Sequence, residues 1–199
     1  MKRIFLAIAF LPLLFSNVYA EDTQGIHLHE VGIITGYGWA DLKEEKAPGQ
    51  TQNQDDYVFY PIMGHFGWKI NSLFQNLSHH QGTLQFAVQP FVNPVSNPDG
   101  GVEAGAEFAI KYSYPVWEKV SPFLEVGAGP IYFGVDTYEQ GEKGFSFSDH
   151  VTGGLQFALQ ENTALNIGYR YRHISNLETR EENGGINANS VVVGFSVFY

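Results

Sequence analysis

The chain has no cysteine among its 199 residues. A disulfide-linked scaffold and a thiolate metal site are therefore both excluded, because each is built from cysteine sulfur. Basic residues are also scarce, since 11 Lys and Arg stand against 21 Asp and Glu, and the formal net charge is −10. A nucleic-acid partner requires a basic surface that neutralises phosphates, so this balance argues against such a partner.

Long apolar runs are almost absent, and the one that exists lies at the N-terminus. Met1-Lys2-Arg3 is basic, Ile4 to Phe15 is almost wholly apolar, and the small residue Ala20 follows. This pattern predicts a secretory signal peptide over residues 1–20, because the run is too short for a convincing membrane helix. No other stretch approaches the roughly 18 apolar residues of a spanning helix. We predict that residues 21–199 form a single domain.

Aromatic residues and glycine are abundant instead, with 16 Phe, 11 Tyr and 22 Gly. Apolar and polar residues alternate along eight segments separated by turn-rich connections, which is typical of β-strands. The segments are Val31–Trp39, Tyr57–Ile70, Thr83–Val95, Gly101–Tyr114, Val120–Phe133, Phe145–Leu159, Leu165–Asn176 and a last one that ends at Tyr199. Pro61 weakens the second segment unless the strand is bulged there. An even strand number with connections of unequal length predicts an all-β fold, an eight-stranded antiparallel transmembrane β-barrel of the outer-membrane type.

Charged residues fall on the faces that such a barrel turns towards its lumen. They are Glu103, Glu107, Lys111, Glu125, Arg170 and Arg172. An eight-stranded barrel is just wide enough for side chains to fill it. Because buried charges need partners, we expect these residues to pair, and we expect a filled barrel rather than a pore.

A histidine and a serine lie two positions apart near the end of the seventh segment. Side chains at i and i+2 of a strand point the same way, so His173 and Ser175 can approach each other. A serine hydroxyl becomes a good nucleophile only when a neighbouring base accepts its proton. Both residues share the apolar row that begins at Leu165, so the pair faces lipid if that row does. A serine on a strand usually has no chemical role, and the spacing alone leaves both interpretations open.

The surrounding residues carry a resemblance to a known family. Arg172-His173-Ile174-Ser175-Asn176, followed by Asn183-Gly184-Gly185-Ile186-Asn187, resembles the motif of the PagL-type lipid A 3-O-deacylases of the bacterial outer membrane. The resemblance implies a hydrolase that removes the ester-linked 3-acyl chain from lipid A. Lipopolysaccharide and the outer membrane are then its partners, no metal or organic cofactor is implied, and a homodimer is possible.

The resemblance also implies roles for individual residues. Ser175 is the expected nucleophile and His173 the expected general base. Asn176 and the Asn183-Gly184 segment are the candidate donors to the oxyanion, because amide N–H groups must converge on that oxygen.

The third catalytic member departs from the family pattern. The family has a Glu twelve positions after the serine, whereas this chain has Asn187 there. An Asn can orient an imidazole, as in Cys-His-Asn enzymes, but it carries no charge. The neighbouring loop residues Glu178, Glu181 and Glu182 are alternatives. We favour Asn187, because the hairpin between the last two strands places it opposite His173.

If the N-terminus is periplasmic, the seventh strand runs outward and places His173 and Ser175 at the level of the outer leaflet.

Two other interpretations of the fold and function stay open. A non-enzymatic small outer-membrane barrel with a structural or adhesive role would leave these two residues replaceable. A soluble barrel would turn its apolar row inward around a hydrophobic ligand.

Overall fold

A computed structural model describes residues 26–42, 56–74, 81–97, 100–137, 139–140, 142–177 and 184–199. Within these residues there are nine antiparallel strands: β1 (His27–Asp41), β2 (Asp56–Phe59), β3 (Ile62–Lys69), β4 (Thr83–Asn97), β5 (Gly101–Ser113), β6 (Val120–Phe133), β7 (Gly144–Gln160), β8 (Thr163–Ser175) and β9 (Ile186–Phe198). A short 3-10 helix covers Asn71–Leu73. The predicted signal peptide over residues 1–20 lies outside the described part of the chain.

No helix within the described residues has the length and apolar character needed to cross a membrane.

The strands close into a ring. Both β2 and β3 pair with β1 on one side and with β4 on the other, and β4 to β9 pair in sequence order. The ring closes where β9 pairs with β1, from Glu30↔Phe198 to Trp39↔Asn189. The nine strands make eight positions around the barrel, because β2 and β3 are two parts of the second predicted strand. The interruption falls at Tyr60 and Pro61, where proline has no N–H to donate to the ladder. The predicted barrel is confirmed, and its second strand is broken at the proline.

The outward face of the barrel is apolar and the inward face is polar. Large apolar side chains that are at least two-fifths exposed occur around the ring, including Ile33, Phe108, Leu124, Val151 and Phe195. The alternative of a soluble barrel with an inward apolar row is therefore wrong. Alternation along the predicted segment Tyr57–Ile70 places Ile70 in the outward row with Ile62 and Trp68, and this is wrong. Ile70 is buried, because it lies beyond the end of β3, where its N–H donates to Leu84 O at 2.9 Å.

The charges predicted to lie in the lumen do lie there, and they pair. Arg170 reaches Glu125 at 2.9 Å and Glu107 at 3.3 Å, and Lys111 Nζ lies 2.8 Å from Glu30. His150 bridges Glu107 and Glu125, with its ring nitrogens 3.0 and 3.2 Å from their carboxylate oxygens. Paired side chains thus occupy the middle of the barrel, as its width requires.

Arg172 and Glu103 form a second cluster in this polar interior. Arg172 Nη1 and Nη2 lie 2.7 and 3.0 Å from the two carboxylate oxygens of Glu103, which is a bidentate pair. Its guanidinium also stacks over the ring of Phe59 at 4.3 Å. The Tyr57 hydroxyl and the Asn93 amide donate to the same carboxylate. Bidentate charge-assisted bonds of this kind offset the desolvation of a buried carboxylate.

A second, apolar layer fills the end of the barrel at which β8 ends and β9 begins. Its buried members are Ala40, Leu42, Tyr57, Phe59, Val95, Phe133, Val135, Ile174, Ile186 and Ala188. Ile174 lies between His173 and Ser175, and Ile186 precedes Asn187. The strands that carry the candidate site are therefore anchored from the inside of the barrel.

The outward face gives a direct test of the inside–outside assignment. Val193 is 40% exposed and pairs with Thr35 and Ile167, about midway along the barrel. We expect Val193→Lys to destabilise the folded barrel by about 2–4 kcal/mol, because it places a charge in the apolar region of the bilayer. Leu159→Lys, one residue before the end of β7, should cost only about 0–1 kcal/mol. The measurement is denaturant unfolding in lipid vesicles, and equal penalties would contradict the assignment.

Candidate active site

Three side chains form a row across the outward face of three neighbouring strands. His173 of β8 lies opposite Asp149 of β7 on one side and opposite Asn187 of β9 on the other. Asp149 and Asn187 are exposed, and His173 is half-buried. Residues opposite each other in adjacent strands have their Cβ atoms about 4.5–5.5 Å apart, so Asp149 and Asn187 both lie beside His173.

The contact between His173 and Asn187 fixes the state of the imidazole. His173 Nδ1 lies 2.7 Å from Asn187 Oδ1. An amide oxygen only accepts hydrogen bonds, so Nδ1 carries the proton and Nε2 has a free lone pair. A general base needs this tautomer. The prediction that the hairpin places Asn187 opposite His173 is confirmed, whereas its role in catalysis stays a prediction.

Ser175 follows on the same outward face and is also half-buried. Its Oγ accepts a hydrogen bond from the Leu177 N–H at 3.1 Å. Leu177 has a φ of 53°, a left-handed conformation that is uncommon for a residue with a side chain. This tight turn ends the strand and holds the Ser175 hydroxyl oxygen in place.

Of the candidate oxyanion donors within the described residues, neither the Asn176 side chain nor the Gly184 N–H is directed at Ser175. Asn176 is 1% exposed and, like Arg172 and Ile174 at alternate positions before it, points into the barrel. The Gly184 N–H donates to Glu139 O at 2.7 Å and is already engaged.

Several other predicted site residues cannot be placed. Asn183, Glu178, Glu181 and Glu182 lie outside the described residues.

Gly185 contributes to the site in a way that the sequence analysis missed. Its φ is +69°, and a Cβ added there would lie 2.6 Å from His173 Cε1 and 3.3 Å from Nε2. The Gly185 backbone thus packs against the imidazole, and glycine alone fits both the space and the backbone conformation. The signal for this contact was the pair of glycines that precedes β9.

The connection between β6 and β7 is hydrogen-bonded to the two segments that carry the site, and the sequence analysis did not predict these bonds. Gln140 is fully buried and donates from Nε2 to Ile174 O at 3.3 Å. Glu139 accepts the Gly184 N–H through its backbone carbonyl. One buried segment therefore bonds to the end of β8 and to the residues just before β9.

Three comparisons with known proteins bear on the identity of this barrel. The sequence model of the family described as lipid A 3-O-deacylase (PagL) matches residues 61–196. The chain belongs to this lipid A 3-O-deacylase family. No curated protein matches it at a significant level.

Solved structures support the fold of this family member. The crystal structure of the outer membrane enzyme PagL is similar, with a TM-score of 0.54, 18% sequence identity, and coverage of 83% of this chain and 97% of that one. Neisserial surface protein A (NspA) is similar with a TM-score of 0.56, 16% identity, and coverage of 88% and 99% respectively. At such identities the likeness establishes the fold alone.

These comparisons bear out three of the predictions made from the sequence. The family resemblance, the outer-membrane barrel fold and the location in the outer membrane are confirmed. The comparisons do not support the possible homodimer, which stays a prediction.

Proposed function

We propose that this chain is an outer-membrane serine esterase that removes the ester-linked 3-acyl chain from lipid A. The proposal rests on the three side chains that lie on the outward face of the barrel where β8 ends and β9 begins. There Asn187 holds His173 in the tautomer of a general base, and Ser175 follows on the same face. A site on the outer wall of a barrel meets its substrate within the membrane, which suits a lipid.

The proposed reaction has two steps. Ser175 Oγ attacks the ester carbonyl, and His173 Nε2 takes the hydroxyl proton and passes it to the departing sugar oxygen. Water then attacks the acyl-enzyme, His173 accepts a proton from this water, and Ser175 recovers its hydroxyl when the fatty acid leaves. The developing oxyanion needs converging N–H donors, and we assign these to the β8–β9 connection, including Asn183.

Mass spectrometry of lipid A tests the proposal. Purified protein, folded in detergent and shifted in gel mobility on heating, is incubated with lipid A that carries an ester-linked acyl chain at position 3. We expect one acyl chain to be lost from that position and the free fatty acid to appear. Unchanged lipid A in the presence of folded protein would overturn the proposal.

A non-enzymatic barrel with a structural or adhesive role is the second candidate. The neutral Asn187 at the position of the family's Glu is the observation that favours it, because the imidazolium then lacks a charged partner in the usual place. This candidate requires that lipid A is unchanged and that Ser175 is replaceable.

Gly185 offers a test of whether the placement of His173 matters. Gly185→Ala strains a left-handed backbone by about 1–2 kcal/mol and drives a methyl group into the imidazole. We expect acyl release to fall about 10- to 100-fold, because small displacements of a catalytic group have effects of this size. The control is Gly184→Ala, whose Cβ would lie 3.5 Å from Glu139 and should have little effect. Equal activity of the two variants would show that the backbone contact with His173 is unimportant.

A further inference from the structure

The proposed mechanism leaves one electrostatic requirement unmet. His173 becomes positively charged when it takes the Ser175 proton, and a nearby negative charge stabilises that state. Asn187 orients the ring but is neutral. A carboxylate elsewhere on the outward face would supply this charge, and the inference below rests on the proposed function.

Asp149 occupies the position that such a carboxylate needs. It lies directly opposite His173 in the β7–β8 ladder, on the side of the ring away from Asn187. Its own neighbour on β6 is Ala128, whose methyl group leaves the Asp149 carboxylate uncrowded. His173 thus has an amide that fixes its tautomer opposite it on β9 and a carboxylate opposite it on β7.

The surroundings of Asp149 make it an unusual residue. The neighbouring outward positions of β7 are Phe147 and Val151, which are 37% and 48% exposed. Within the described strands β6, β7, β8 and β9, Asp149 is the only acidic residue on the outward face. An acidic side chain on a lipid-facing wall is costly and by default suggests a function with a specific partner.

We propose that Asp149 is the positioning residue that stabilises the charged form of His173. It supplies, from β7, the negative charge that the family pattern places on β9 at position 187. Asn187 keeps the orienting role and Asp149 takes the electrostatic one, so two strands share what one Glu would do. Asp149 acts on His173 and need not touch the substrate.

Asp149→Asn removes the charge at constant size and is the central test. We expect kcat for release of the 3-acyl chain to fall about 10- to 100-fold with KM unchanged. This is the range expected from losing one charge across a ladder pair, whose Cβ atoms lie about 4.5–5.5 Å apart. Adding Asn187→Glu to Asp149→Asn should restore kcat to within a few-fold of the wild type. Adding Asn189→Glu, two positions away on the same face of β9, should not restore it. Each variant is checked for folding by its heat-dependent gel mobility.

The outcomes separate this proposal from its rivals. An unchanged kcat in Asp149→Asn, a loss confined to KM, or a failure of Asn187→Glu to rescue would overturn it. A KM effect would mean that Asp149 contacts lipid A instead.

The rate at which a fluorophosphonate labels Ser175 provides a readout without lipid A. Labelling that slows in Asp149→Asn and recovers when Asn187→Glu is added would support the role of Asp149. If lipid A is left intact in the same samples, only the proposed substrate is overturned. No labelling and no acyl release by the folded wild type would overturn both proposals.

Discussion

Ser175→Ala and His173→Ala should each reduce release of the 3-acyl chain by about a thousand-fold or more, because nucleophile and base act as a unit. The double variant should then be no worse than either single one. Both side chains lie on the outer wall, half-buried and away from the ion pairs of the lumen, so the barrel should stay folded. Acyl release by mass spectrometry and folding by gel mobility are the two measurements.

The control for this experiment is another hydroxyl on the same wall. Thr35 is exposed on the outward face of β1, and Thr35→Ala should leave acyl release unchanged. Full activity of Ser175→Ala would remove the esterase from consideration and leave the structural or adhesive barrel.

Arg172→Leu should produce the largest loss of stability, about 3–5 kcal/mol in the free energy of unfolding. The substitution leaves the buried Glu103 carboxylate without its bidentate partner, and an uncompensated buried charge has a penalty of this size. The double variant Arg172→Leu/Glu103→Leu should recover most of the loss, because replacing a whole buried pair by apolar residues is often neutral. Denaturant unfolding in lipid vesicles measures both.

A surface ion pair supplies the comparison. Lys143 and Asp136 lie 3.9 Å apart, and their side chains are 59% and 61% exposed. Lys143→Leu should therefore change the free energy of unfolding by no more than about 1 kcal/mol. If Arg172→Leu were equally mild, the pair with Glu103 would not be important for stability.

The side on which His173 and Ser175 lie could be predicted from the sequence, because the alternation of faces is a property of a single strand. The same rule predicted the inward direction of Arg170 and Arg172. It also applied to Asn176, whose parity places its amide inside the barrel and weakens it as an oxyanion donor. The weakness of the second strand at Pro61 was also predicted for a local reason, the missing N–H.

Contacts between distant segments could not be predicted in this way. The pairing of Asp149 with His173 depends on the register of β7 and β8, which shifts at a bulge between Ala158 and Gln160. A slip of one residue would turn the opposite face outward. Nor does any local pattern predict the bond from Gly184 to Glu139, which joins two different connections.

The ion pairs that cross the lumen have a consequence for how long the barrel persists. Arg172 and Glu103 are 69 residues apart, and Lys111 and Glu30 are 81 apart. Strands β5 and β8, which carry the first pair, are not neighbours in the ring. Such a pair forms late in folding, because closing the long loop between its two residues has an entropic cost that comes before the contact. Interactions absent from the transition state slow unfolding rather than speed folding, so these pairs act on the lifetime of the assembled barrel more than on the rate of its assembly.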